Sequence, residues 1–394
     1  MADDAMQAAD TGPASEAEAE ARHVLVTASP HLRSPENIPR IMWTVSATLA
    51  PALGWAVYVF GPRALLTTAI GVVAAVVTEA VWQLLRRRPV TVRDGSAFLT
   101  GLLVAFVLPS HAPWYVPLAA SVFAIAIVKQ LFGGLGCNVW NPALMGRAFV
   151  MAAWAPLVAA SASWPAPFGY LRPAPPPHDG ATGASSAVDA RTGATPLSRL
   201  KESLREFNAG QSEGVPVPRN VAEAREALRQ IRDEDAAALD DLYFGRTGGC
   251  IGEVSACFLF LGGIVLVALN YVRWQMPVLY LLTAALLGWA LPIGIQGESA
   301  RYSLWFAGQP LFELFAGGLF LGAFFMATDM VTSPVSAKGQ VIFAIGAGVL
   351  TILIRRYGGY PEGVCYAILL MNTATPIINR YTRSRVFGRR KAKK

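Results

Sequence analysis

The residues in this chain that could do chemistry stand out because they interrupt long apolar runs. Glu79 lies deep in one such run, and Glu253 follows Gly252 at the head of another. A carboxylate at membrane depth is costly to desolvate, so each is a candidate for an ion or proton path. Asp94, Lys129, Arg147, Glu313 and Asp329 lie nearer the ends of apolar segments, where snorkelling or capping is the simpler account. Gly133-Gly134-Leu135-Gly136-Cys137-Asn138-Val139-Trp140-Asn141-Pro142 stands between two apolar segments. Its glycines permit close backbone approach and its two asparagines offer amide donors and acceptors, which suits a ligand site and a tight Asn-capped turn equally. Thr195, in Asp189-Ala190-Arg191-Thr192-Gly193-Ala194-Thr195-Pro196-Leu197, reads as an exposed hydroxyl in a turn. The four cysteines (Cys137, Cys250, Cys257, Cys365) show no C-x-x-C spacing. They read as buried small apolar residues, with no iron–sulfur or zinc site supplied by this chain alone.

Composition says what must position these groups. Of 394 residues, 54% are apolar and 15% charged, against about 25% charged in an ordinary soluble domain, and the mean hydropathy is +0.41. Residues 1–39, 161–248 and 379–394 are polar. What remains is about 250 residues, room for about ten membrane-crossing helices with short loops. The expected fold is an all-α polytopic membrane protein, with spans near 41–60, 64–85, 96–109, 113–132, 142–160, 250–269, 277–296, 311–328, 339–354 and 361–378. The third is short and closed by Pro109; the eighth runs into Thr328-Asp329-Met330-Val331-Thr332-Ser333-Pro334. Lipid could not satisfy such a polar stretch, so both read as broken helices facing protein or a cavity.

The formal net charge of +7 does not mark a nucleic-acid surface, because the basic residues collect at membrane edges. Arg86, Arg87, Arg88 and Arg93 fall between spans two and three. Eight more, from Arg380 to Lys394, crowd the C-terminal tail. With ten spans both clusters fall on the cytoplasmic side, and 161–248 falls on the periplasmic side. Arg355 and Arg356 run against this scheme. Residues 1–20 hold six acidic and no basic residues, unlike a signal-peptide n-region. The expected division is a cytoplasmic segment 1–39, a first five-helix repeat 40–160, an outer loop 161–248, a second five-helix repeat 249–378 and a basic cytoplasmic tail 379–394. Phe123-Ala124-Ile125 leading to Phe132-Gly133-Gly134 parallels Phe343-Ala344-Ile345 leading to Tyr357-Gly358-Gly359. Five spans per half is odd, so the repeats would be inverted, an arrangement that sets ligand sites at broken helices.

Several blocks carry a resemblance: Phe132-Gly133-Gly134-Leu135-Gly136 with Asn138, Asn141-Pro142-Ala143 and Gly146-Arg147; Ile251-Gly252-Glu253-Val254-Ser255; Met326-Ala327-Thr328-Asp329 with Val331-Thr332-Ser333-Pro334; and Gly358-Gly359-Tyr360-Pro361-Glu362-Gly363-Val364. In these the chain resembles the D subunits of Rnf complexes, bacterial membrane ferredoxin:NAD oxidoreductases. It is less closely similar to the B subunits of sodium-translocating NADH:quinone reductases. The resemblance implies ten spans in two inverted halves within the inner membrane. It implies covalent FMN on Thr195, since Asp189 to Thr195 matches the Asp-x-x-(Ser/Thr)-Gly-Ala-Thr motif of a separate flavin transferase, with Thr192 where serine is commoner. The threonine hydroxyl attacks the FAD pyrophosphate, AMP leaves, and FMN stays on a phosphoester. Asp179 to Ser185 repeats the pattern ten residues earlier; Pro196-Leu197 favours Thr195, and Ser185 stays a competitor.

The resemblance further implies a second, non-covalent flavin, riboflavin among the candidates, near Asn138, Asn141, Arg147, Thr328 and Asp329. Electron transfer between ferredoxin and NAD would be coupled to Na⁺ or H⁺ movement, with partner subunits supplying iron–sulfur clusters, further flavin and the nucleotide site. The alternatives are the quinone-reductase B subunit and an inverted-repeat transporter or channel without redox function. The orientation is testable: a reporter active only in the periplasm should be active when fused within 207–240 and silent after Lys394. The opposite pattern overturns both the orientation and the flavinylation expectation.

Overall fold

The computed structural model describes residues 36–158, 195–210, 216–235, 239–298, 300–359 and 362–383. Asp189 to Ala194, the competitor Ser185, the acidic N-terminus and the tail beyond Arg383 lie outside the described residues. The first helices are α1 (Ile38–Phe60) and α2 (Pro62–Leu85). Gly61 takes a positive φ of 79° to turn between them, and Pro62 opens α2 where its missing N–H has no partner to lose. In α2 the buried stripe is Ala64, Thr67, Thr68, Gly71, Ala75, Glu79 and Gln83, while Leu65, Leu66, Val73, Val77 and Val81 are exposed. Polar and small residues face inward and large apolar ones outward, the reverse of a water-soluble helix.

The short α3 (Ser96–Phe106) packs closely on α2. A Cβ on Gly101 would lie 2.7 Å from the Gly71 carbonyl, so glycine is what permits the approach. α4 (Tyr115–Phe123) winds on as a π-helix over Ala124–Gln130, and α5 (Pro142–Ala153) is capped by Asn141. Three polar-segment helices follow: α6 (Pro196–Asn208), α7 (Val221–Asp235) and α8 (Leu239–Phe244). A 3₁₀ turn, Ile251–Glu253, leads into α9 (Ala256–Ala268) and α10 (Gln275–Ala290). After a hairpin come α11 (Pro310–Phe315) and α12 (Leu319–Leu321), the latter extended as a π-helix over Gly322–Met326. α13 (Ala337–Tyr357) and α14 (Val364–Tyr381) complete the order.

Among the described residues, α1, α2 and α13 are long and apolar enough to cross a membrane. Five more apolar helices, counting α4 with its π-helical extension, have 10–17 residues. Both apolar segments end where expected, α3 at Phe106 short of Pro109 and the eighth at Met326 ahead of 328–334, but the eighth is also split at Ala316-Gly317-Gly318, a break the sequence reading did not anticipate. The all-α expectation needs one correction. Residues 293–296 do not continue a helix but form β1 (Ile293–Gln296), antiparallel to β2 (Arg301–Leu304), with Ile293 opposite Leu304. Pro292 ends α10, because helical geometry is disfavoured before a proline, and Ile293 and Ile295 then alternate inward as a strand requires.

The polar 161–248 segment is likewise more than a connection. Phe207 of α6, Ala224, Ala227, Leu228 and Ile231 of α7, and Ile293, Ile295 and Leu304 of the hairpin form a satellite core. Replacing Leu228 by Ala should cost about 2–5 kcal/mol locally. Hydrogen exchange should speed up in α6, α7 and the hairpin and stay unchanged in α2 and α13; a uniform change would contradict a separate core.

Candidate functional site

Two buried polar clusters and one cavity carry the candidate chemistry. The first cluster surrounds Glu79. The Lys129 ammonium, brought inward by the π-helical end of α4, donates to both Glu79 oxygens at 2.9 and 2.8 Å and to Ser96 Oγ at 2.6 Å. Gln130 Nε2 donates to Glu79 at 2.8 Å, and Asp94 accepts from the Ser96 hydroxyl at 2.7 Å. Lys129 therefore does not snorkel: it is 2% exposed, with three oxygens around it. Glu79 is not a lone carboxylate but half of a satisfied ion pair.

The cavity lies beside this cluster and holds about 120 Å³, less than the roughly 300–1,000 Å³ of ordinary small-molecule sites. Lys129, Ser96, Asn138, Asn141, Thr328 and Asp329 line it together with Leu135, Phe324 and Phe325. Its polar side chains also hold local structure. Asn141 Oδ1 accepts from the Ala143 and Leu144 amides, while its Nδ2 donates to the Met326 carbonyl. Asp329 accepts from the Val331 amide and the Thr332 hydroxyl, and Thr328 donates to the Phe324 carbonyl. The glycine-asparagine stretch is thus a capped turn that also borders a cavity.

Arg147 is not among the cavity's lining residues. From α5 its guanidinium pairs with Glu362 and lies 4.0 Å from Glu253. Glu253 stands on the 3₁₀ turn, which wedges between the two helix breaks. A Cβ on Gly252 would meet Leu321 at 2.7 Å and the Phe106 carbonyl at 2.9 Å, so only glycine fits. Sequence reasoning missed Glu362, whose signal was a carboxylate in a glycine-rich run ahead of an apolar segment. It also treated Glu313 and Arg355 as peripheral. Arg355 is buried, paired with Glu313 at 3.2 Å, and donates to the Glu313 and Ala316 carbonyls at 2.5 and 3.0 Å. Its placement follows from these partners. Of the cysteines, Cys250 and Cys365 are buried, Cys257 is half-buried and Cys137 is exposed, which corrects the expectation of four buried ones.

Thr195 also needs correction. It is 3% exposed and caps α6, accepting from the Ser198 amide at 3.2 Å, with the Ser198 hydroxyl 2.7 Å away. Further along α6, Lys201 donates to the Arg355 carbonyl at 3.2 Å. Burial, with repulsion from Arg205, pulls its ammonium below the usual lysine range.

The model of the NQR2, RnfD, RnfE family matches residues 25–388. The chain belongs to this family. Family relatives cover nearly its whole length. It is 43% identical over 374 residues to the D subunit of the Na⁺-translocating ferredoxin:NAD⁺ oxidoreductase complex of Acetobacterium woodii, covering 94% of this chain and 98% of that one. It is 42% identical over 366 residues to the D subunit of the proton-translocating ferredoxin:NAD⁺ oxidoreductase complex of Clostridium ljungdahlii, covering 93% and 96%. The D subunit of the ion-translocating oxidoreductase complex of Stutzerimonas stutzeri is 39% identical over 357 residues, 90% and 93% of the two chains.

The Glu79–Lys129 pair is testable as structure. Lys129→Met strands a buried carboxylate and should cost about 3–5 kcal/mol. Adding Glu79→Gln should recover most of the lost thermal stability in detergent. If the single variant melts like the native protein, the pair is not what holds α2 and α4 together.

Proposed function

We propose that this chain is the D-type, flavin-carrying membrane subunit of an ion-translocating electron transport complex that passes electrons between ferredoxin and NAD. The observation that carries the reading is near full-length similarity, at 43% and 42% identity, to two proteins named as the D subunits of such complexes. Those two are named for Na⁺ and for protons, so similarity supports ion translocation of either kind. Partner subunits would supply iron–sulfur clusters, a second flavin subunit and the nucleotide site, and a flavin transferase would mature the chain. In this reading the apolar helices make ten spans of the bacterial inner membrane in two inverted halves, with both termini cytoplasmic and 161–248 periplasmic.

FMN would sit on Thr195 through a phosphoester, supplying one- and two-electron chemistry that no side chain here has. The chain's own part is to hold the phosphate. Esterified Oγ1 can still accept from the Ser198 amide, and the first turn of α6 favours a negative group. The capped hydroxyl is inaccessible to a transferase, so attachment would precede docking of α6. A non-covalent flavin would enter between Asn138, Asn141, Thr328 and Asp329, with the small cavity there widening to admit it. Arg147, directed toward Glu253 and Glu362, belongs in this reading with the ion path rather than that flavin. Of the two path candidates Glu253 is better placed, because the Glu79 carboxylate already has Lys129, Gln83 and Gln130 on it.

Protein made with its flavin transferase should keep flavin fluorescence on a denaturing gel, since a phosphoester survives unfolding. Thr195→Ala should abolish the band, Thr195→Ser should keep part of it, and Ser185→Ala should leave it whole. Losing the cap costs about 1 kcal/mol, so folding should survive. A band lost in Ser185→Ala and kept in Thr195→Ala moves the anchor to the earlier motif; a band indifferent to both removes covalent flavin from this segment.

A further inference from the structure

The cluster around Arg147 does not balance. Glu253 and Glu362 bring two carboxylates to one guanidinium, with side chains 5%, 11% and 5% exposed for Glu253, Glu362 and Arg147. The ligand atoms of Glu253, Glu362 and Cys250 all lie within 4.8 Å of one another. Glu362 Oε2 takes the Arg147 bond, and Glu253 Oε2 accepts from the Cys250 amide at 3.4 Å. The remaining oxygen of each, Glu253 Oε1 and Glu362 Oε1, is buried without a hydrogen-bond partner. Two like charges at this separation in a dry site cannot both ionise cheaply, and a net buried charge is costly.

Among the described residues, the groups seen around this cluster do not supply the missing positive charge. The Cys250 and Cys365 thiols donate to the Val107 and Leu144 carbonyls, so both serve as neutral S–H donors. Arg355 faces the same glycine, Gly317, as Glu362, but its guanidinium is engaged by Glu313 and two carbonyls. One more positive charge is required. Hard metal cations take six or more oxygen ligands, whereas the unpaired oxygens here are two. A proton needs no more than two.

We propose that Glu253 and Glu362 share one proton opposite Arg147, forming a buried proton-exchange site at the meeting point of the two broken helices. Its use as a step in ion movement rests on the translocation reading above; its occupancy does not. Loading adds H⁺ to the doubly ionised pair and makes the cluster neutral; release returns H⁺ and leaves one net negative charge. Exchange runs through Glu362, the more exposed partner. On that side Leu197 of α6 packs at Gly317, whose α-carbon substituent would also face Glu362. Thr195 stands two residues before Leu197, so a charge change on a flavin there lies near the proton's route.

The test is infrared spectroscopy of the flavin-free full-length chain in lipid nanodiscs, with ¹³C-labelled glutamate to separate glutamic from aspartic acid. A protonated glutamic acid carbonyl band that shifts in D₂O should be present at pH 7, far above the ordinary glutamate pKa of about 4.3. Glu253→Gln and Glu362→Gln should each remove it, because the surviving carboxylate then ionises against Arg147. Each variant keeps one negative and one positive charge, so the cluster stays neutral and folds. Absence of the band in the native chain, or its survival in either variant, overturns the shared proton. Its disappearance on adding sodium assigns the site to that ion and overturns the proton.

Discussion

A helix that breaks inside an apolar slab frees carbonyl groups that hydrocarbon cannot bind, and the arrangement of this chain follows from answering them. Where α3 ends, the Ile251 amide donates to the Leu108 carbonyl, the Thr67 hydroxyl to Ser110 and the Cys250 thiol to Val107. Where the second break opens, Arg355 donates to the Glu313 and Ala316 carbonyls. Beyond α12, Asn141 donates to Met326 and Thr375 to Thr332. Several of these donors come from the opposite half of the chain. Satisfying the breaks thus ties the halves together and brings Glu253, Arg147 and Glu362 to one point.

The two buried charge clusters behave differently for that reason. Lys129 cancels the charge of the buried Glu79 carboxylate and each ammonium proton has an oxygen to meet, so the cluster is suited to holding α2, α3 and α4 in register. Around Arg147 two carboxylate oxygens are left over. The imbalance sits where the two broken helices meet the 3₁₀ turn and beside the segment that begins at Thr195. A site that must gain and lose charge cannot be fully satisfied in one state, whereas a structural one can.

Much of this was legible in the sequence because membrane-depth polarity is rare. Glu79, Glu253 and the breaks at Pro109 and 328–334 stood out against apolar surroundings. Partners were harder to read. Lys129 lies fifty residues from Glu79, and near a span end it looks free to snorkel; only the π-helical turn of α4 aims it inward. Glu362 was hidden in a glycine-rich block, because spacing along the chain does not reveal that it meets Arg147 across 215 positions. The first strand of the hairpin, 293–296, closed an apolar run that looked like the end of a helix. Thr195 seemed exposed because Gly193 and Pro196 beside it are usual marks of a surface turn, yet it is buried at the start of α6.

The proposal on which the functional reading turns is that FMN is attached at Thr195. Trypsin cuts after Arg191 and Arg199, which separates the peptide 192–199 from Ser185. Tandem mass spectrometry of that peptide, from protein matured by its flavin transferase, reads the claim directly. The account predicts an added mass of FMN less water, with fragment ions assigning it to Thr195. An unmodified 192–199 peptide, or the same mass on the peptide holding Ser185, would contradict it.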